Sequence, residues 1–201
     1  MKKSRIITAK YVVIFFCYIP FLISVFKIFG FFDGLGANPI ENLLHSYGKN
    51  GLNLILITLL ITPIRQITKI NYLIQFRRIL GLAAFFYVLM HALTYIVLDR
   101  ELKWLSIIED IIIRPYITLG FIALILLIPL AITSTNKMQR LLKKNWGRLH
   151  KLIYLIGPLA VVHFFWQVRV TTLEPIIYSS ILLLTLGYRF INHLKKRFKA
   201  N

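Results

Sequence analysis

Only one of the 201 residues is a cysteine, Cys17, and it lies inside an apolar run. An intramolecular disulfide is thereby excluded, as are a four-cysteine iron–sulfur site and the C-x-x-C-H attachment of a covalently bound heme. Acidic residues are scarce too: seven, against 25 lysines and arginines, for a formal net charge of +18. Such an excess would suit nucleic acid, but the basic residues sit between apolar stretches, so membrane topology explains them better and no nucleic-acid partner is expected. Repeats, low-complexity segments and long polar stretches are missing as well. A single domain over 1–201 is expected.

What is abundant is apolar sequence, 58% of the chain. The expected fold class is an all-α membrane protein, a six-transmembrane-helix bundle. A helix needs about 20 apolar residues to cross the hydrocarbon core. Six stretches reach or approach that length: 9–29, 51–67, 76–98, 115–134, 149–168 and 174–191. The opening MKKSR followed by apolar residues has the look of a signal peptide. The run from Tyr11 to Phe29 is long enough to span, and no clean cleavage site follows it, so a retained first helix is expected.

Six spans place the N-terminus, the loops around 66–75 and 135–148 and the C-terminal tail on one side. That side carries 19 of the 25 basic residues, from Lys2 to Lys199. The other side carries Lys27, Lys49, Arg100, Lys103, Arg114 and Arg169, together with all seven acidic residues, from Asp33 to Glu174. Lysine and arginine accumulate in cytoplasmic loops, so both termini are expected in the cytoplasm. The outer loops are then 30–50, 99–114 and 169–173. The second should form an amphipathic interfacial helix, with Trp104 and Tyr116 at headgroup level. Glu109 and Asp110 on it are candidate docking charges.

Histidine within an apolar span is costly and marks a functional site by default. His91 lies in the third span and His163 in the fifth; both spans start on the cytoplasmic side and run parallel. His91 stands 14 residues after Arg77, ~21 Å above it, and His163 stands 13 residues after His150, ~20 Å above it. The two upper histidines therefore share a depth and could ligate one heme iron from both sides. His150 lies low, where the facing position holds Arg77 or Arg78. An arginine is a very poor iron ligand but pairs well with carboxylates such as heme propionates. The lower site then holds a heme with unusual ligation, or His150 meets a quinone oxygen, a flavin or a propionate. Helical phase separates the two sites further. Thirteen residues miss a common face by ~140° on an ideal helix, and a kink at Gly157-Pro158 between them can change that phase. Gly81 and Gly157 could let a flat group approach the backbone. The blander alternatives are an interhelical hydrogen bond for His91 and His163, an interfacial structural role for His150, and simple solvation for His45 and His193.

The segments RRILGLAAFFYVLMHALTY, NWGRLHKLIYLIGPLAVVHFFW and GLGANPIENLLHSYGKNGLNLILITLLITPIR resemble the MsrQ (YedZ) family, part of the ferric reductase-like transmembrane group, from about Gly34 to Tyr188. The resemblance implies heme b, one or two copies, with His91, His150 and His163 matching the family's heme histidines. It also implies FMN as an associated cofactor. Electrons would come from the quinone pool or a cytoplasmic flavin reductase and go to a periplasmic molybdopterin subunit, MsrP, that repairs oxidised methionine. No substrate chemistry is then expected on this chain. Arg77 and Arg78 stand where oxidase relatives carry the lower histidine of the third span. A metal reductase subunit and a non-redox transporter are the competing classes. The former would need a flavin and nicotinamide domain, for which the nine residues after Asn192 leave no room.

Overall fold

A computed structural model describes residues 3–32, 34–168 and 172–198. Lys2, Asp33, Arg169 and Lys199, which enter the charge partition, lie outside them. The described residues form nine α-helices: α1 (Lys3–Ile28), α2 (Pro39–Thr68), α3 (Arg77–Leu93), α4 (Trp104–Ile113), α5 (Pro115–Ile132), α6 (Asn136–Leu142), α7 (Lys144–Leu149), α8 (Ile153–Gln167) and α9 (Glu174–Phe198). A 3-10 turn (Asn71–Phe76) leads into α3, and a π-helical turn (Thr94–Asp99) continues it. A second 3-10 turn (His150–Leu152) leads into α8. Five helical stretches are long and apolar enough to cross a membrane: Ser4–Ile28, Pro39–Thr68, Asn71–Asp99, Pro115–Ile132 and Lys144–Gln167. The sixth expected stretch falls in α9, whose 25 residues have the length but which is not among those five.

Local chemistry explains the helix starts. Pro39 opens α2 at a position where a missing N–H costs nothing. Asn38 caps it, its Oδ1 accepting from Glu41 N at 3.4 Å while its amide donates to Glu41 Oε2 at 2.8 Å. This cap sets the start of α2 twelve residues earlier than the expected span at 51, so His45 and Gly48 are helical rather than part of an outer loop. The expected interfacial helix is α4. It turns Leu105, Ile108 and Ile112 outward and Ile107 and Asp110 inward.

Two interfaces carry the bundle: α2 lies along α3, and α5 lies along α8. At Gly51 a Cβ would stand 2.9 Å from Val88 Cγ2, so only glycine permits that approach of α2 to α3. Helix α1 is tied to α3 by Tyr87, which is fully buried. The Tyr87 hydroxyl donates to Cys17 O at 2.7 Å and accepts from Phe21 N at 3.1 Å. Those two backbone groups would bond each other in a regular helix, so Tyr87 is inserted into the hydrogen-bond ladder of α1, one residue from Pro20. A similar repair occurs at Pro63 in α2. Proline has no N–H, so Leu59 O loses its intrahelical donor. Arg189 of α9 supplies one through Nη2, while its Nη1 donates to Tyr154 OH at 2.6 Å.

Candidate functional site

Helices α2, α3, α5 and α8 enclose a cavity of ≈ 680 Å³. Its inner part is apolar, lined by Ile55, Leu127 and Ile156, and its outer end is ringed by charged and polar groups. Cofactor pockets fall at roughly 300–1,000 Å³.

His91 enters this cavity from α3 and His163 from α8, with ring centroids 6.0 Å apart and planes at 78°. His91 Nδ1 lies 2.9 Å from Leu44 O, and His163 Nδ1 lies 2.6 Å from Tyr116 O. A carbonyl only accepts, so Nδ1 carries the hydrogen in each ring. In a neutral imidazole that leaves Nε2 with its lone pair free, the form that binds a metal.

The two halves are built alike. Each histidine follows its carbonyl by 47 residues. One turn after each carbonyl stands a glycine against the ring. A Cβ on Gly48 would lie 3.0 Å from His91 Nδ1, and one on Gly120 would lie 2.9 Å from His163 Nδ1. Leu44 to Tyr116, Gly48 to Gly120 and His91 to His163 thus share one sequence offset. The pair α2–α3 and the pair α5–α8 share this arrangement, which sequence reading missed because, beyond the glycine and histidine, the offset matches only a few common aliphatic residues such as Leu52 with Leu124 and Leu54 with Leu126. The glycines expected to matter, Gly81 and Gly157, do something else. Gly81 faces open space, and Gly157 packs against Leu59 and Leu182.

At the outer end Arg100 Nη2 meets Asp110 Oδ2 at 2.6 Å, and Arg114 Nε meets Asp110 Oδ1 at 3.1 Å. Tyr95 OH donates to Asp110 Oδ2 at 2.6 Å. The π-helical turn brings Tyr95 and Arg100 to this edge; such turns often mark functional sites. Burial opposes the charge on Arg100, but the Tyr95 hydroxyl and the Asp110 carboxylate hold its pKa above the ordinary value. Asp110 is 7% exposed and so is not the docking charge expected from sequence, whereas Glu109 is exposed. Across the mouth, Lys49 pairs with Glu174 at 2.7 Å, and Gln167 Nε2 lies 2.7 Å from His45 Nε2. His45 is therefore a cavity residue and not a solvated one. The Asn38-Pro39 helix start was the signal that would have placed it there.

The lower residues lie apart. His150, Arg77 and Arg78 do not line the cavity. His150 stacks on Trp146, with centroids 4.0 Å apart, and its Nε2 lies 3.1 Å from Thr133 Oγ1. The Thr133 hydroxyl gives its one hydrogen to Pro129 O at 2.6 Å, so at His150 it accepts. Nε2 of His150 then bears the hydrogen, the opposite tautomer to the upper pair. Trp146 Nε1 donates to Thr133 O at 3.0 Å and locks the group. Arg78 Nη1 donates to Asn136 Oδ1 at 2.5 Å.

Among the described residues no group of three or more histidine, cysteine, aspartate or glutamate side chains converges as a metal site. A metal between His91 and His163 would have two protein ligands, with its remaining donors supplied by a planar macrocycle. Two metal–nitrogen bonds of about 2 Å plus two ring radii of about 1 Å give a centroid separation of ~6 Å, in line with 6.0 Å here. The glycine cradles, the anchored Nδ1 atoms and the apolar interior fit that group.

A family model described as "Ferric reductase like transmembrane component" matches residues 48–161. A protein-methionine-sulfoxide reductase heme-binding subunit MsrQ of Xanthomonas campestris pv. campestris (strain 8004) is 53% identical over 165 residues, 82% of this chain and 76% of that protein. The protein of the same description from Caulobacter vibrioides is 44% identical over 161 residues, 80% of this chain and 77% of its own length. No solved structure matches.

Proposed function

The chain belongs to the MsrQ family of heme-binding subunits, within the ferric reductase-like transmembrane group, and from that membership we propose that it is a b-type cytochrome of the bacterial inner membrane. It passes electrons from the quinone pool or a cytoplasmic flavin reductase to a periplasmic molybdopterin subunit, MsrP. In this way it supports the repair of oxidised methionine in envelope proteins. The proposed topology is six spans, α9 being the sixth, with both termini cytoplasmic. FMN is a further proposed cofactor.

His91 and His163 are the proposed iron ligands. The observation that carries this reading is the facing pair of imidazoles, 6.0 Å apart, each with Nδ1 tied to a backbone carbonyl. When bound, the heme supplies one-electron exchange at a potential set by its ligands and burial. The chain's own residues do the rest. Leu44 O and Tyr116 O fix the ring orientations and strengthen both nitrogens as ligands. Leu127, Ile156 and their apolar neighbours keep water from the inner cavity. His150, Arg77 and Arg78 are proposed to serve the cytoplasmic-side cofactor or donor. For His150, contact with a quinone oxygen, a flavin or a propionate is favoured over iron ligation, because ligation through Nε2 would break the Thr133 contact.

The test is the optical spectrum of the purified chain expressed with heme supply. A Soret band in the native protein, lost or strongly reduced in His91→Ala and in His163→Ala, is expected. Absence of the band from the native protein would remove the cytochrome reading.

A further inference from the structure

The outer end of the cavity holds more cationic hydrogen-bonding capacity than its protein partners use. Asp110 is seated between Arg100 and Arg114, and Arg100 has a second, longer ion pair with Asp99. Arg100 Nε is buried and makes no hydrogen bond. Its nearest carboxylate oxygen, Asp99 Oδ2, stands 3.4 Å away on a side chain 39% exposed. A buried donor left unpaired costs free energy comparable to a lost hydrogen bond, so an unfilled N–H beside a ligand cavity points to an acceptor that arrives with the ligand. Arg114 meets Asp110 through Nε at 3.1 Å and keeps its side chain 45% exposed. Its place in the chain is also informative: it lies two residues before Tyr116, whose carbonyl orients His163. Across the mouth the one lysine is already paired with Glu174.

We propose that Arg100 and Arg114 seat the carboxylate edge of the group held between His91 and His163, so that this group lies with its propionates toward the outer end. The inference rests on the heme reading above. A planar ligand with an apolar body and two carboxylates on one edge matches a cavity that is apolar inside and carries Arg100 and Arg114 beside Asp99 at its rim, with Glu41 and the Lys49–Glu174 pair also lining the mouth. Guanidinium forks bind carboxylates with paired, charge-assisted hydrogen bonds. Asp110 then acts as the positioning residue that holds both forks, with Tyr95 OH bonded to it in turn.

The test compares heme with its dimethyl ester, which has the same ring and iron but no carboxylates. The full chain, expressed without heme, is titrated with each. The native protein should prefer the free acid by about ten- to hundredfold, the factor that hydrogen bonds to a charged group carry. Arg100→Gln and Arg114→Gln should each reduce that preference, and the double variant should abolish it while ester affinity stays unchanged. Arg100→Lys, which keeps the charge but not the fork, should retain part of the preference. Equal affinity of the native protein for both ligands would overturn the proposal. So would variants that weaken acid and ester by the same factor, because that marks a purely structural tie between α4 and α5. If the native chain takes up neither ligand, the heme reading fails, and this inference with it.

Discussion

Adding one methyl group at Gly120 tests how the site is positioned. In Gly120→Ala the new Cβ would lie 2.9 Å from His163 Nδ1 and 3.0 Å from Cε1. Ordinary carbon contacts are about 3.5–4.0 Å, so the ring must retreat by ~0.5 Å or more. It cannot rotate away freely, because Nδ1 is bonded to Tyr116 O on the same helix as the glycine. Overpacking of this kind costs about 1–3 kcal/mol. The displacement also shifts Nε2 relative to His91, and ligand geometry tolerates only about half an ångström. Heme content per chain and the Soret maximum are the assay. The internal control is Gly81→Ala, in the second turn of α3, where nothing lies within 4 Å of the new atom. Alanine there should leave heme content unchanged and raise stability by up to about 1 kcal/mol from helix propensity. If Gly120→Ala kept full heme content and an unshifted spectrum, the cradle argument would be refuted.

Two further outcomes follow from the inserted side chains. Tyr87→Phe removes the hydroxyl that bridges Cys17 O and Phe21 N in α1 and should lower stability by about 1–3 kcal/mol in thermal unfolding. Arg189→Met orphans Leu59 O and should cost a similar amount, about 1–3 kcal/mol, but much less in a Pro63→Ala background, where an intrahelical N–H is available again. Equal costs in the two backgrounds would mean that Arg189 acts through Tyr154 alone.

The depth match of His91 and His163 could be read from residue positions because a helix rises by a constant amount per residue, and the structure brings the two rings together as that arithmetic requires. The phase argument likewise separated His150 from His163, and the structure keeps His150 out of the cavity. What orients the rings was not legible. Leu44 O and Tyr116 O are backbone atoms 47 residues away, and no side chain advertises a carbonyl acceptor. Gly48 carried no expected role because residues 30–50 carry loop-forming residues at their start, whereas the Asn38 cap begins a helix at Pro39. Arg100 and Arg114 read as loop charges because the π-helical turn that returns Arg100 to the cavity leaves no periodic signature in six residues.

The central claim is that two imidazoles, held nearly at right angles, ligate one iron. Electron paramagnetic resonance of the oxidised protein tests it most directly. The His91 and His163 ring planes stand at 78°, and an iron held between them would have two orbitals close in energy. A low-spin signal dominated by one strongly shifted low-field line is expected, absent in His91→Ala and His163→Ala. A high-spin signal in the native protein, or a low-spin signal that survives both substitutions, would contradict it.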